Sequence, residues 1–166
     1  MYRIFVGVGS NIGEREKFLD KAVAALRKLP GTKMVWTSSV YESEPWGNPN
    51  QGKFLNAVAE LESDFAPGSL LKEVKSIEEN IGKRSSERWG PREIDIDILL
   101  YDGLVEQTEE ICIPHKELGN RKFVLIPLKE IAPDVVHPVN GMTIEELAGA
   151  CRDTTRVVKS SHHIKI

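Results

Sequence analysis

Residues 88–98 read Arg-Trp-Gly-Pro-Arg-Glu-Ile-Asp-Ile-Asp-Ile, with acids and isoleucines alternating from Glu93 onward. Period-two alternation of β-branched and polar residues marks a half-buried strand. Ile94, Ile96 and Ile98 then point into a core, and Glu93, Asp95 and Asp97 share the other face. Two aspartates on one face stand roughly 6.5 Å apart by strand rise, within joint reach of one cation site. Without a cation they repel, and aspartate is a poor strand former. The plainer alternative is an edge strand whose outer face is simply solvated. Immediately upstream, however, Lys83, Arg84, Arg88 and Arg92 gather four cations around the constrained Trp89-Gly90-Pro91. Cations beside paired carboxylates suit a metal–polyphosphate ligand: aspartates hold Mg²⁺, the ion bridges phosphate oxygens, and guanidinium groups neutralise the rest.

Other groups could complete such a site. Pro114-His115-Lys116 and Asn120-Arg121-Lys122-Phe123 form a second small basic group. Trp46, Phe54 and Asn56 put aromatics beside an amide, which suits a flat heterocycle, with rings on its faces and the amide on its polar edge; ordinary core aromatics would read the same way. Gly7-x-Gly9-x-x-x-Gly13 misses the dinucleotide spacing by one residue, so these glycines are expected to serve a tight strand-to-helix turn. No G-x-x-x-x-G-K-[ST] occurs.

The elements that must position these residues follow from periodicity. A strand is expected over 2–8. A helix follows over about 14–29, with Phe18, Ala22, Leu26 and Leu29 as its stripe, Asn11 as its cap and Pro30-Gly31 as its stop. A second strand covers 33–41 and leads into a loop over 42–52 rich in proline and glycine. Leu55, Ala57, Ala59 and Leu61 alternate as a third strand. A second helix runs over 67–81 on the stripe Leu70, Val74, Ile77 and Ile81, ended by Gly82. After the acid-bearing strand, Asp102-Gly103 suggests a hairpin turn into a further strand. Short helices are expected over 123–131 and 143–151, the second opened by a Thr143-x-x-Glu146 capping box. The stretch from about 155 to 166 is expected to be a disordered tail. This order is the α+β, ferredoxin-like βαββαβ arrangement with C-terminal additions: a mainly antiparallel sheet, helices on one face, and the other face left for a site.

Composition bounds the function. The 166 residues suit a single domain over 1–166, and net charge −3 argues against generic nucleic-acid binding. No apolar run reaches the ~20 residues of a membrane span. Two cysteines make no disulfide framework or metal spacing, so a cytoplasmic location is expected.

Ser38–Pro45, Phe54-Leu55-Asn56-Ala57, the 88–99 block, Pro114-His115 and Arg121–Leu128, with Gly9-Ser10-Asn11, resemble 6-hydroxymethyl-7,8-dihydropterin pyrophosphokinase over about residues 4–145. The resemblance implies a ferredoxin-like fold and transfer of pyrophosphate from ATP to the pterin hydroxymethyl group, with AMP released, in folate biosynthesis. It implies that Asp95 and Asp97 hold two Mg²⁺ ions and that Arg84 and Arg92 act in catalysis. ATP would contact Lys75, Glu78, Lys83, Arg84, Trp89, Arg92, Ile98, His115 and Arg121. The pterin would lie among Ser43, Pro45, Trp46, Phe54, Asn56, Trp89 and Phe123, stacked between Phe54 and Phe123. Partners would be small molecules alone, without nucleic acid or membrane, on a monomer, a dimer remaining open. The sequence departs from the family at Lys83-Arg84-Ser85-Ser86, where two arginines are common, at Glu110, where some members have arginine, and at Lys116, where some have tyrosine. A two-metal nuclease or nucleotidyltransferase, which would need a third metal-binding acid and a broad basic groove, and a ferredoxin-like ligand-sensing module without turnover are the rival classes.

Overall fold

A computed structural model of the chain describes residues 1–45, 48–82 and 92–165. Eight strands and four helices follow one another as β1 (Tyr2–Ser10), α1 (Arg15–Arg27), β2 (Thr32–Thr37), β3 (Tyr41–Ser43), β4 (Phe54–Ser63), α2 (Pro67–Ile81), β5 (Asp95–Tyr101), β6 (Glu106–Gln107), β7 (Cys112–Ile113), α3 (Lys122–Ile131), α4 (Ile144–Ala150) and β8 (Val157–Lys159). The main sheet runs β5-β1-β4-β3-β8, with β2 also on β4, and every pairing in it is antiparallel. With β2 and β3 counted as one strand, this is the ferredoxin-like order, in which the last core strand lies beside the first.

One sheet face carries α1 and α2. There Ile4, Val6 and Val8 of β1 meet Leu19, Val23 and Leu26, and Leu70, Val74 and Ile77. Helix α2 follows its sequence signals closely: Pro67 occupies the first turn, apolar residues recur at helical spacing, and Gly82 at φ 111° closes the end in the left-handed region that favours glycine. Ile94, Ile96 and Ile98 join this core, as their alternation requires.

The opposite face is not left bare. Helices α3 and α4 cover part of it, burying Phe5, Val58, Leu99 and Leu100 against Val124, Leu125, Leu128, Ile144 and Leu147. The β1–β5 register shifts between Phe5 and Val6. This bulge puts Leu99 and Leu100 into the same cluster, while Tyr101 returns to the first. Helix α4 opens with the expected reciprocal Thr143–Glu146 capping box.

Five expectations change. The 33–41 strand is two strands. From Thr37↔Ala59 to Tyr41↔Asn56, one chain advances four residues against three, and Ser38 fills the gap, its N–H donating to Val58 O (2.8 Å) and its Oγ accepting from Val58 N (2.9 Å). Helix α1 starts at Arg15 without a side-chain cap, so Asn11 is not one. Asp102 does turn the chain, at φ 50°, but its N–H bonds Arg3 O, and β6 pairs with β7 instead of returning along β5. Gly7 and Gly9 lie inside β1, not in a turn. The expected disordered tail instead supplies β8, antiparallel to β3 with Tyr41↔Lys159 and Ser43↔Val157. Its shortness and polar flanks hide this, because its partner is more than a hundred residues away.

Glu78, buried on α2, accepts from Ile96 N–H (3.0 Å) with its Oε2. It thereby satisfies a backbone donor on the strand segment between the two aspartates. Glu78→Ala leaves that buried donor unpaired, and a denaturation midpoint should report a loss of about 1–3 kcal/mol. Glu78→Gln keeps an acceptor and should lose clearly less. Equal losses in the two variants would show that the hydrogen bond is not what the carboxylate supplies.

Candidate functional site

Two rows of residues cross the uncovered part of the sheet. Asp97 stands opposite Gly7, and Gly7 opposite Val58; Asp95 stands opposite Gly9, and Gly9 opposite Asn56. The middle member of each row is a glycine, so no side chain rises between the acid wall on β5 and the β4 wall. A β-carbon at Gly9 would sit 2.8 Å from Asn56 Oδ1, closer than packed atoms allow, and one at Gly7 would touch Leu99. The result is a cavity of about 470 Å³. Asp95, Asp97 and Arg92 line one side, Phe54, Asn56 and Gln51 another, and His115, Lys116, Arg121 and Phe123 close it.

Each wall is held by identifiable bonds. Asn56 Nδ2 donates to the buried Ser43 Oγ (2.8 Å), which fixes the amide's orientation at the cavity floor. Asn11 joins the two loops that border the cavity. Its Nδ2 donates to Gln51 Oε1 (2.9 Å) and Gly52 O (3.1 Å), and its Oδ1 accepts from Arg92 N–H (2.6 Å). Its own N–H donates to Arg92 O (2.9 Å). Arg92 Nε lies 3.7 Å from Asp95 Oδ1. Across the cavity, Arg121 lies over the Phe123 ring with Cζ 5.7 Å from the centroid, a cation–π distance.

His115 is anchored by its N–H to Leu99 O (3.0 Å), at the β5 bulge, and its Nδ1 accepts from Glu117 N–H (3.1 Å). Burial, reinforced by the neighbouring Arg121 charge, pushes the imidazole down to about 4. With Nδ1 accepting, the neutral ring carries its proton on Nε2. His115 is therefore a neutral hydrogen-bond donor near pH 7, not a cation or a proton acceptor.

The structure thus gathers Asp95, Asp97, Arg92, His115, Arg121, Phe54, Asn56 and Phe123 around one space. Ser43 lies just beneath it, buried under Asn56, and borders a second cavity of about 400 Å³ with Glu42, Glu44, Lys53, Arg156 and Val158. Pro45 begins the loop beyond Ser43 and is not among the cavity-lining residues. Three residues expected at the ATP do not line this cavity: the Ile98 side chain is in the α1/α2 core, Lys75 is exposed on α2, and Glu78 bonds the β5 backbone from the helix side. Trp46, Lys83, Arg84 and Trp89 lie outside the described residues. Gly7, Gly9, Gln51 and Asn11 were not anticipated as site residues. Gly9 and Asn11 do fall in the Gly9-Ser10-Asn11 stretch that carries the family resemblance, and glycines inside a strand-like run signal a close approach.

The donor set fits hard divalent cations: two carboxylates on one face with open space before them, where Mg²⁺ characteristically takes one or two carboxylates and fills its remaining positions with water and phosphate oxygens. Among the described residues, no group of three or more His, Cys, Asp or Glu side chains converges, so the third acid of a two-metal nuclease is not among them.

Fold and cavity together define a ferredoxin-like α+β protein with an acidic wall facing basic and aromatic ones. Solved structures agree on the fold: the chain superposes on Plasmodium falciparum HPPK-DHPS with TM-score 0.69 at 17% identity, covering 89% of this chain and 44% of that longer one. Another HPPK-DHPS, crystallised in complex with substrates, gives 0.73 at 14% identity, over 90% and 43%. Sequence comparison is more specific. The family model described as 7,8-dihydro-6-hydroxymethylpterin-pyrophosphokinase matches residues 5–133. Proteins named 2-amino-4-hydroxy-6-hydroxymethyldihydropteridine pyrophosphokinase are 42% identical in Methylorubrum extorquens (88% of this chain, 91% of that one) and 40% identical in Aquifex aeolicus (88% and 90%). The chain belongs to this pyrophosphokinase family.

His115 supplies a pH test. Its folded value lies below its unfolded one of 6.5, so between about 4 and 6.5 the unfolded chain binds more protons and stability falls as pH falls. Denaturant midpoints measured across that window should decline less steeply in His115→Asn than in the parent protein. Parallel slopes would mean that His115 titrates normally in the folded state.

Proposed function

We propose that this pyrophosphokinase transfers the terminal pyrophosphate of ATP to the hydroxymethyl group of 6-hydroxymethyl-7,8-dihydropterin, giving AMP and the pterin diphosphate for folate biosynthesis. The observation that carries this reading is the trough itself, in which Asp95 and Asp97 stand over Gly9 and Gly7 beside a pocket holding Phe54, Asn56 and Phe123.

Asp95 and Asp97 are the residues that would hold Mg²⁺, two ions by our reading, which when bound neutralises phosphate charge and activates the β-phosphorus toward attack. The chain's own groups do the remaining work. Phe54 and Phe123 hold the pterin ring, and Asn56, fixed by Ser43, pairs with its polar edge. Arg92 and Arg121 take up phosphate charge from opposite sides of the cavity, and His115 donates through Nε2 to a phosphate oxygen without competing for the pterin proton. The reaction is then an in-line displacement, pterin oxygen entering and AMP leaving, promoted mainly by positioning. By the family resemblance, Arg84 and Trp89 complete this assignment with phosphate and ring contacts, and Pro45 and Trp46 border the pterin. The substrates are small molecules. No helix among the described residues is long and apolar enough to cross a membrane.

Incubation with MgATP and the reduced hydroxymethylpterin should release AMP and pterin diphosphate in equal amounts, followed by chromatography. Asp95→Ala and Asp97→Ala should each lower turnover by at least about a hundredfold with unchanged thermal unfolding, because the buried isoleucines are untouched. ADP as the nucleotide product, or near-normal turnover in both variants, would overturn the proposal.

A further inference from the structure

Residues 151–165 lie past the residue-133 end of the family match, yet they bond two elements that support the cavity, β3 beneath Asn56 and the start of α3. At the first, β8 pairs with β3, the strand that ends at Ser43. The pairing is extended by Glu44 N–H to Arg156 O (3.2 Å) and Arg156 N–H to Glu44 Oε1 (2.9 Å), at the start of the loop toward Gln51. At the second, Asp153 Oδ2 accepts from Lys122 N–H (3.0 Å), the first N–H of α3. Helix α3 has no cap of its own at Arg121, whose side chain, a donor only, accepts no bond from the helix N-terminus. Asp153 therefore supplies that cap from 31 residues away, and a carboxylate at a helix N-terminus is favourable in both hydrogen bonding and charge.

The contact is oriented, not incidental. Asp153 Oδ1 accepts from Thr155 N–H (2.9 Å) and Thr155 Oγ1 (2.8 Å), and Lys122 Nζ donates back to Thr155 O (3.3 Å). Burial raises the Asp153 carboxyl, but the bonds from Thr155 and Lys122 outweigh it and keep the group ionised, below the ordinary carboxylate value. Beyond β8 the segment is fastened to α1: Asp20 Oδ1 lies 3.1 Å from His162 Nε2 and accepts from Lys165 N–H (3.3 Å), and Ile164 packs on the core. The strap thus has a fixed far end, a middle on β3, and a near end at the start of α3, between Arg121 and Phe123.

We infer that Asp153 is a positioning residue for the reaction: by holding Lys122 N–H it sets the first turn of α3, and with it the placement of Arg121 and Phe123 on either side of Lys122. This rests on the assignment of Phe123 to the pterin and Arg121 to phosphate. A residue that only stabilised the fold would change unfolding and leave substrate affinity alone. A positioning residue changes affinity for whatever Phe123 contacts and spares distant contacts.

Three variants of the full chain test this: Asp153→Ala, which removes the acceptor, Asp153→Asn, which keeps one, and Thr155→Val, which loosens the carboxylate without removing it. Amide exchange of residues 122–124 in the ligand-free protein should quicken roughly fivefold in Asp153→Ala, the loss typical of a helix cap. It should quicken less in Thr155→Val and return near the parent rate in Asp153→Asn. The KM for the reduced pterin should rise in the same order, with kcat less affected. Unchanged exchange at 122–124, or exchange that quickens with no change in pterin KM, overturns the inference. Should Asp153→Ala not fold, Thr155→Val against Asp153→Asn carries the same comparison. If the parent protein turns over no pterin, the proposed function fails, and the exchange series still decides whether Asp153 sets the α3 turn.

Discussion

The site depends on an absence of side chain. Gly7 and Gly9 face Asp97 and Asp95 across the β1–β5 ladder, and because neither glycine projects into the face, two like-charged carboxylates line a cavity. A strand cannot ordinarily leave such a gap, since side chains alternate to both faces without exception; glycine is the one residue that supplies it. The conformational entropy lost in ordering two glycines within a strand is offset by the apolar half of β1, where Ile4, Val6 and Val8 are almost wholly buried.

Much of the surrounding structure keeps that gap rigid. The isoleucines of β5 anchor the acid strand to α1 and α2, Glu78 satisfies its backbone between the aspartates, and the Leu99 bulge turns the next residues onto α3. His115 docks on the bulge carbonyl, so the base of the basic wall is referenced to the strand that carries the acids. Electrostatics then follows from burial. Burial keeps His115 neutral beside the Arg121 guanidinium. Among the described residues the cavity sets two carboxylates against two guanidinium groups and the Lys116 ammonium, the distribution from which we infer a polyanion bound together with divalent cations.

The legible parts of this design were those with a period or a local cap. Alternation exposed Asp95, Asp97 and the isoleucines beneath them, and helical spacing with Pro67 and Gly82 bounded α2. Residues whose roles depend on distant partners were misread or missed. Asn11 has the sequence look of a helix cap, and only the folded chain brings Gln51, Gly52 and Arg92 to it. Gly7 and Gly9 looked like turn residues because glycine's permissiveness signals both uses equally. The extra residue between β2 and β3 leaves no compositional trace, and β8 is only Val157–Lys159 set in a polar stretch, with no identity as a strand until β3 lies beside it. Ile98, Lys75 and Glu78 entered through resemblance rather than periodicity, and the alternation that points Asp97 outward necessarily points Ile98 into the core.

The central claim is that the space over Gly7 and Gly9 is where the acids meet a metal–polyphosphate complex. Crystals grown with a non-hydrolysable ATP analogue and Mn²⁺, measured for anomalous scattering, test it most directly. The account predicts anomalous peaks within coordination distance of Asp95 and Asp97, about 2.0–2.2 Å as for octahedral oxygen-ligated cations, directly above the two glycines. Peaks confined to another part of the surface, with the two carboxylates bonded only to protein groups, would contradict it.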